Sequence, residues 1–312
     1  MMRFESVLDL IGNTPMVGIH ELSPNENVKI YLKLEGQNPV GSAKDRVALS
    51  MIKDAETKGL LTPGCTIVEP SSGNTGVGLA LVCLLHGYKL IVVCADNVTR
   101  ERIDLLKSFG AVIEFSPGEF GSNGAIARAK EMVQENPDYV MLYQYGNASN
   151  PKVHYESTAP EILKDCPEID VFVAGLGTSG TLMGCSRFFK DNKPDVKIVA
   201  VEPPSGESVS GLRSLDDGFI PEIFDPELID RKFMIRSEES IEVTRELLTK
   251  CGIFVGVSTG AIVLGAIKQA AKMESGTIVA ISPDSGWKYL SAGIWANELN
   301  DVIKESEKTN FW

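Results

Sequence analysis

Short apolar runs recur along the chain, separated by longer segments in which apolar residues return every three or four positions. The runs VKIYLKLE (28–35), TIVEP (66–70), KLIVVCAD (89–96), AVIEFSP (111–117), YVMLYQY (139–145), VFVAGLG (171–177), KIVAVEP (197–203) and TIVAISPD (277–284) predict strands. Several are apolar nearly throughout, as strands covered on both faces of a parallel sheet must be. Segments such as TRERIDLLKSFG and SNGAIARAKEMVQEN carry the helical period between them. Strands alternating with helices predict an α/β protein built from βαβ units, and eight such strands suit two open, mostly parallel twisted sheets flanked by helices better than one.

Turn-rich segments mark the organisation. EGQNPVG (35–41) follows the first strand and QYGNASNP (144–151) closes the middle block. They predict a small inserted domain over 39–142, closing on a ligand, and a large domain made of 1–38 and 143–312. The segment 203–230 is long, rich in Gly, Pro and Asp and weakly periodic; loops of that length in compact domains are usually functional or disordered.

Composition narrows the function classes. Net charge is −12, without a basic stripe, so neither nucleic acid nor an anionic membrane is an expected partner, and an anionic small molecule needs a local positive site. The longest apolar runs, LALVCLL and LIVVCA, are too short to cross a bilayer. MMRFESVLDLIGNTP places Glu5 and Asp9 within its apolar segment and offers no small-residue cleavage site, so no secretory signal and a cytoplasmic location are expected. The six cysteines form no C-x-x-C pair, and the three histidines have no thiol at ligand spacing. Buried thiols in a reduced compartment and no metal site follow.

Four glycine-containing loops carry the chemistry. VFVAGLGTSGTLMG (171–184) holds Gly175, Gly177 and Gly180 in G-x-G-x-x-G register, with an acidic residue, Glu202, at the end of a following strand, as in dinucleotide sites. Thr178, Ser179 and Thr181 add three hydroxyls that a dinucleotide turn does not require and that suit a terminal phosphate. EPSSGNTG (69–76) runs from a strand into a very apolar helix and offers Ser71, Ser72, Asn74 and Thr75 at a helix N-terminus, a ready anion site. In NPVGSAKDRVALSMIKDAE (38–56), Ser42 can cap a helix whose Val47, Ala48, Met51 and Ile52 face inward. Lys44 then lies in the first turn, where the dipole disfavours its cation. It is either a solvated lysine or an amine of lowered pKa for Schiff-base chemistry. GVSTGA (256–261) places Ser258 at a fourth strand-to-helix turn.

SAKDR, SSGNTG, GTSGT and GVSTGA, in this order, resemble the fold type II pyridoxal-phosphate enzymes of the cysteine synthase and cystathionine β-synthase group, and the likeness runs from IGNTPMV (11–17) to the C-terminus. The resemblance implies that Lys44 carries pyridoxal 5'-phosphate as a Schiff base. It further implies that Asn74 meets the ring hydroxyl, that Gly177, Thr178, Ser179, Gly180 and Thr181 hold the phosphate, and that Ser258 faces the ring nitrogen. Ser71, Ser72, Thr75 and Gln144 would cradle the substrate carboxylate, and Glu202 would contact no ribose. GSNGAIARAKEMVQENPDYVMLYQYGNASNPKVHYESTAPEIL and LRSLDDGFIPEIFDPELID are similar to the cysteine synthase B branch that uses O-phosphoserine and a sulfur-carrier protein with a C-terminal thiocarboxylate. In that branch an arginine of the long loop selects the phosphorylated substrate, which falls on Arg213, and a tail, here KTNFW (308–312), folds over the site. Ser71 and Ser179 stand where threonine or glycine is common in the family, and both keep small side chains.

The resemblance therefore implies a homodimeric transferase making cysteine by β-replacement on O-phosphoserine, with sulfide or the carrier thiocarboxylate as sulfur donor. O-acetylserine as the substrate is the alternative. A cystathionine β-synthase needs a heme segment or regulatory domain that 312 residues do not hold. A non-catalytic metabolite-sensing module would not need Lys44 and all four loops.

Overall fold

The computed structural model describes residues 3–308. Ten strands form two sheets: β1 (Met16–Gly18), β2 (Val28–Leu34), β3 (Thr66–Glu69), β4 (Lys89–Ala95), β5 (Val112–Ser116), β6 (Tyr139–Met141), β7 (Val171–Gly175), β8 (Lys197–Glu202), β9 (Arg231–Met234) and β10 (Gly276–Ser282). The helices are α1 (Lys44–Thr57), α2 (Asn74–His86), α3 (Arg100–Ser108), α4 (Gly121–Glu135), α5 (Ser149–Val153), α6 (Ala159–Asp165), α7 (Gly180–Asn192), α8 (Ser237–Cys251), α9 (Val257–Ala270) and α10 (Leu299–Lys308).

One sheet has six strands in the order β1-β2-β10-β7-β8-β9, parallel except for β1; the other has four parallel strands in the order β5-β4-β3-β6. This is the two-sheet α/β architecture that the alternation predicts. The central strands are apolar because helices cover both faces: Val171 to Ala174 and Ile278 to Ile281 are almost wholly buried. Two edge strands escape the periodicity. β1 is three residues long, follows a proline and ends on a glycine, and β9 (RKFM) is mostly exposed with no apolar alternation to betray it. The run at 139–145 is strand only to Met141; beyond it Tyr143 takes a left-handed conformation and turns the chain.

α1 buries Val47, Ala48, Met51 and Ile52 completely against α2 and the four-stranded sheet. Its cap differs from the simple Ser42 cap. Ala43 occupies the cap position, while the Ser42 hydroxyl accepts the Lys44 N–H and donates to Asp45. The helix is also anchored by a buried ion network invisible in the sequence. Arg46 grips Glu35 (Nε–Oε2 2.7 Å) and Glu161 (Nη1–Oε1 2.7 Å), and Lys33, fully buried on β2, reaches Glu161 at 2.9 Å. Burial pulls the Glu161 carboxyl up, but the hydrogen bond and charge of Arg46 outweigh it and hold the group at about 2.

In each sheet the strand order reverses once beside a central strand, β3 against β6 and β7 against β10. Ligands of open α/β sheets bind outside the C-terminal ends of strands at such points. The loops leaving β3, β6, β7 and β10 all line one cleft of about 490 Å³. Cys83, Cys94, Cys166 and Cys185 are buried and all six thiols are free. Among the described residues no helix is long and apolar enough to cross a membrane, and no cluster of side chains could hold a metal ion.

Candidate active site

Lys44 opens α1 and points into the cleft with Ser71, Ser72, Asn74, Thr75, Gln144, Gly177, Thr178, Arg213 and Ser258. Burial lowers the Lys44 pKa, opposed first by Asp284 and then by Glu35, with Lys288 adding to the lowering. An amine so placed spends more of its time neutral than an ordinary lysine.

The turn after β3 leads directly into α2. The half-buried Ser71, Ser72 and Asn74 lead into the N-terminus of α2, and the Thr75 hydroxyl donates to Gln144 Oε1 at 2.6 Å. Gln144 is held from behind, where its backbone N–H and that of Tyr143 donate to Glu69. Burial raises the Glu69 pKa to about 7 against those two N–H donors.

The loop after β7 turns at Ser179, whose φ of 69° is left-handed, an uncommon conformation for a residue with a side chain. Its Oγ is buried without a partner in the protein. Thr178 accepts from Asn150 Nδ2 at 3.1 Å, and Thr181 meets His154 Nε2 at 3.2 Å. His154 lies in a single π-helical turn between α5 and α6, is fully buried, and is kept neutral by that burial, with Lys44 and Arg46 adding to it. Gly177 and Thr178 reach the cleft surface; Ser179, Gly180 and Thr181 turn behind it into α7. Glu202 belongs elsewhere: it is buried, accepts the Leu215 N–H and pairs with Lys232.

Residues without a sequence signal complete the cleft. Asp284, just past β10, accepts from Asn74 Nδ2 at 2.7 Å and from the Tyr289 hydroxyl at 2.6 Å, and Ser210 donates to that hydroxyl. Lys288 donates to Asn74 Oδ1. PDSGWKY reads as a polar turn, and only the fold brings it against a residue some 210 positions earlier. Arg102, from the first turn of α3, also lines the cleft.

The model of the family described as "Pyridoxal-phosphate dependent enzyme" matches residues 7–284. The chain belongs to that family. This pyridoxal-phosphate enzyme is 41% identical over 300 residues to a probable cysteine synthase of Bacillus subtilis, covering 92% of this chain and 96% of the other. Its fold matches a crystal structure of cysteine synthase from Entamoeba histolytica with a TM-score of 0.90 at 32% identity, covering 97% and 96% of the two chains. It also matches an O-ureido-L-serine synthase with a TM-score of 0.89 at 37% identity, covering 94% and 96%. It is a cysteine synthase-like enzyme of the fold type II architecture, and its cofactor is pyridoxal phosphate.

The residues present fit that group. The orphaned Ser179 hydroxyl and the backbone N–H groups at the start of α7, of which Gly180's is held only at 3.4 Å by Thr178 Oγ1, are donors for a phosphate. The closely approached backbone supports the same reading, since a Cβ on Gly177 would lie 2.3 Å from the Gly211 carbonyl oxygen.

Proposed function

We propose that this enzyme makes cysteine, or a cysteine adduct of a sulfur-carrier protein, by β-replacement on O-phosphoserine. Lys44 would hold the cofactor, Gly177 to Thr181 its phosphate, Asn74 its ring hydroxyl and Ser258 its ring nitrogen. When bound, the cofactor draws electrons from the substrate α-carbon and so acidifies the α-proton. Ser71, Ser72, Thr75 and Gln144 seat the substrate carboxylate. Lys44, inclined to the neutral form by burial, takes the α-proton at close range and returns it after the sulfur has added. A serine at the ring nitrogen leaves it unprotonated, which disfavours long-lived carbanions and suits elimination and addition. The proposed inserted unit 39–142 closes over the substrate, and the proposed assembly is a homodimer in the cytoplasm.

The observation that carries the phosphorylated substrate is Arg213. It lines the cleft, stacks its guanidinium over Phe219 at 4.9 Å and Tyr145 at 5.2 Å, and forms no ion pair among the described residues. Stacking fixes the plane of the fork and leaves its N–H edge free for an anion. O-acetylserine is the second reading, favoured by the likeness to the cysteine synthase (OASS) of Entamoeba histolytica. Kinetics with each ester separate the two. Arg213→Ala should lower the efficiency with O-phosphoserine about 10- to 150-fold, a charged hydrogen bond contributing roughly 1.5–3 kcal/mol, and should leave O-acetylserine nearly unaffected. Equal losses on both esters would mean that Arg213 shapes its loop and does not read phosphate. Of the tail expected to close the site, residues 309–312, Phe311 and Trp312 included, lie outside the described residues.

A further inference from the structure

A second cation in the cleft has no counter-ion in the protein. The Arg102 guanidinium lines the cleft, its Nη1 is buried without a hydrogen-bond partner, and it forms no ion pair among the described residues. Its electrostatic neighbours are Tyr289, Asp284, Glu101 and Cys94, none close enough to bond it, and Asp284 is already engaged by Asn74 and Tyr289. Arg102 as a whole is half-buried, but a guanidinium does not shed its proton in a protein, so its buried and unpaired Nη1 edge is costly unless an anion arrives.

An independent feature of the same wall also asks for an anion. α4 begins in the cleft lining with Gly121 and Ser122, and no side chain caps its N-terminus. The Gly121 N–H is bonded to the Gly118 carbonyl of the turn before it, and the positive end of this 15-residue helix faces the space lined by Arg102, Cys94 and Ala95.

Arg213 stands elsewhere in the cleft, stacked over Tyr145 and Phe219, whereas Arg102 comes from the first turn of α3. β-Replacement brings two anions to the β-carbon in turn, the leaving group and the nucleophile. We infer that Arg102 and the N-terminus of α4 dock the second of them, a sulfur donor whose charge is shared between sulfur and oxygen, as in thiosulfate or a thiocarboxylate. This rests on the β-replacement reading above. The Cβ–O bond breaks with its electron pair leaving on oxygen. The donor sulfur then supplies the pair for the new Cβ–S bond while the guanidinium holds its oxygens, and a proton returns to the α-carbon. The product is cysteine carrying the rest of the donor on sulfur, with no net oxidation or reduction.

The test uses the holoenzyme with Arg102→Gln and, to keep the charge without the fork, Arg102→Lys. Thiosulfate, thioacetate and sulfide are compared as donors against a saturating serine ester. Arg102→Gln should raise KM for thiosulfate and thioacetate about 10- to 150-fold, with far smaller changes for sulfide and for the ester, and Arg102→Lys should recover part of the loss. In parallel, thiosulfate should raise the melting temperature of the wild-type holoenzyme but not of Arg102→Gln. Equal losses across all three donors, or thiosulfate stabilisation retained in Arg102→Gln, would overturn the assignment. Were the wild type to turn over neither ester with any donor, the β-replacement reading would fall, and the melting experiment would still decide whether Arg102 binds the anion.

Discussion

Lys288 Nζ donates to Oδ1 of Asn74 at 2.6 Å, and this contact settles which way the Asn74 amide faces. With the oxygen held by an ammonium, Nδ2 is turned towards Asp284 and donates at 2.7 Å. Burial lowers the Lys288 pKa, and the Asp284 and Asp45 carboxylates resist that shift. Lys288 is thus a positioning residue for the side chain proposed to meet the cofactor ring.

Lys288→Met removes the clamp while keeping most of the buried stem. The freed amide can flip, at a cost of about 1–2 kcal/mol, so cofactor affinity should fall roughly 5- to 30-fold. Equilibrium titration of the apoprotein with pyridoxal phosphate measures this, and an unchanged dissociation constant would remove Lys288 from that role.

Asp284 is the largest influence opposing the lowered Lys44 pKa. Asp284→Asn keeps the side-chain shape and loses the charge, so the Lys44 pKa should fall further. The neutral amine is the form that attaches to an aldehyde. The pH–rate profile for reconstituting the apoprotein should therefore shift to lower pH in the variant. A profile that stays in place, or moves to higher pH, would show that Asp284 does not govern Lys44.

What the sequence made legible, and what it did not, follows from where each role originates. Lys44, Asn74, Thr75 and Thr178 sit in or beside the glycine-containing turns that lead into helices, so local pattern draws attention to them, although for Lys44 it leaves a solvated side chain open and only the resemblance points to a Schiff base. The apolar runs of β4, β7 and β10 mark buried strands for the same reason. Arg102 in RERIDLL looks like one more solvated helix charge, and Lys288 and Asp284 like turn residues. Their roles come from juxtapositions made by the fold, Asn74 lying 210 positions from Asp284. Glu35 was likewise hidden in a turn-rich stretch, yet it is wholly buried under the Arg46 guanidinium.

The ion network predicts an acid limb in stability. Glu161 titrates at about 2 in the folded protein, below the ordinary 4.5, so its contribution is full above pH 4.5 and fades as pH falls towards 2. Glu161→Gln leaves Lys33 and Arg46 undercompensated and should cost about 3–5 kcal/mol at pH 7. Urea unfolding at pH 7, 5 and 3 should show a full gap between wild type and variant at pH 7 and 5 and a narrower one at pH 3, where the unfolded wild type takes up a proton at Glu161 that the folded one still resists. A gap of constant size would mean that packing, and not the charge, is what the variant loses.

The proposed cofactor cup and the proposed carboxylate cradle share a support, and Gly180 is where it can be tested. A Cβ on Gly180 would lie 1.8 Å from Asn150 Oδ1, so an alanine there displaces the buried amide. Asn150 Nδ2 holds Thr178 Oγ1 at 3.1 Å and the Gln144 carbonyl at 2.9 Å, one in each half of the proposed site. Moving it should loosen both at once. Overpacking of this kind costs about 1–3 kcal/mol, and the melting temperature should fall by a few degrees. Cofactor affinity and the KM for the serine ester should worsen together, since the phosphate loop and Gln144 lean on the same amide. Asn150→Ala in the Gly180→Ala background separates steric from bonding effects. It gives the added methyl its space and should restore the melting temperature in part, while leaving cofactor and ester binding weak because the two Nδ2 bonds stay lost. If cofactor binding weakens in Gly180→Ala while the KM for the ester does not move, the two halves are held independently and Asn150 does not couple them.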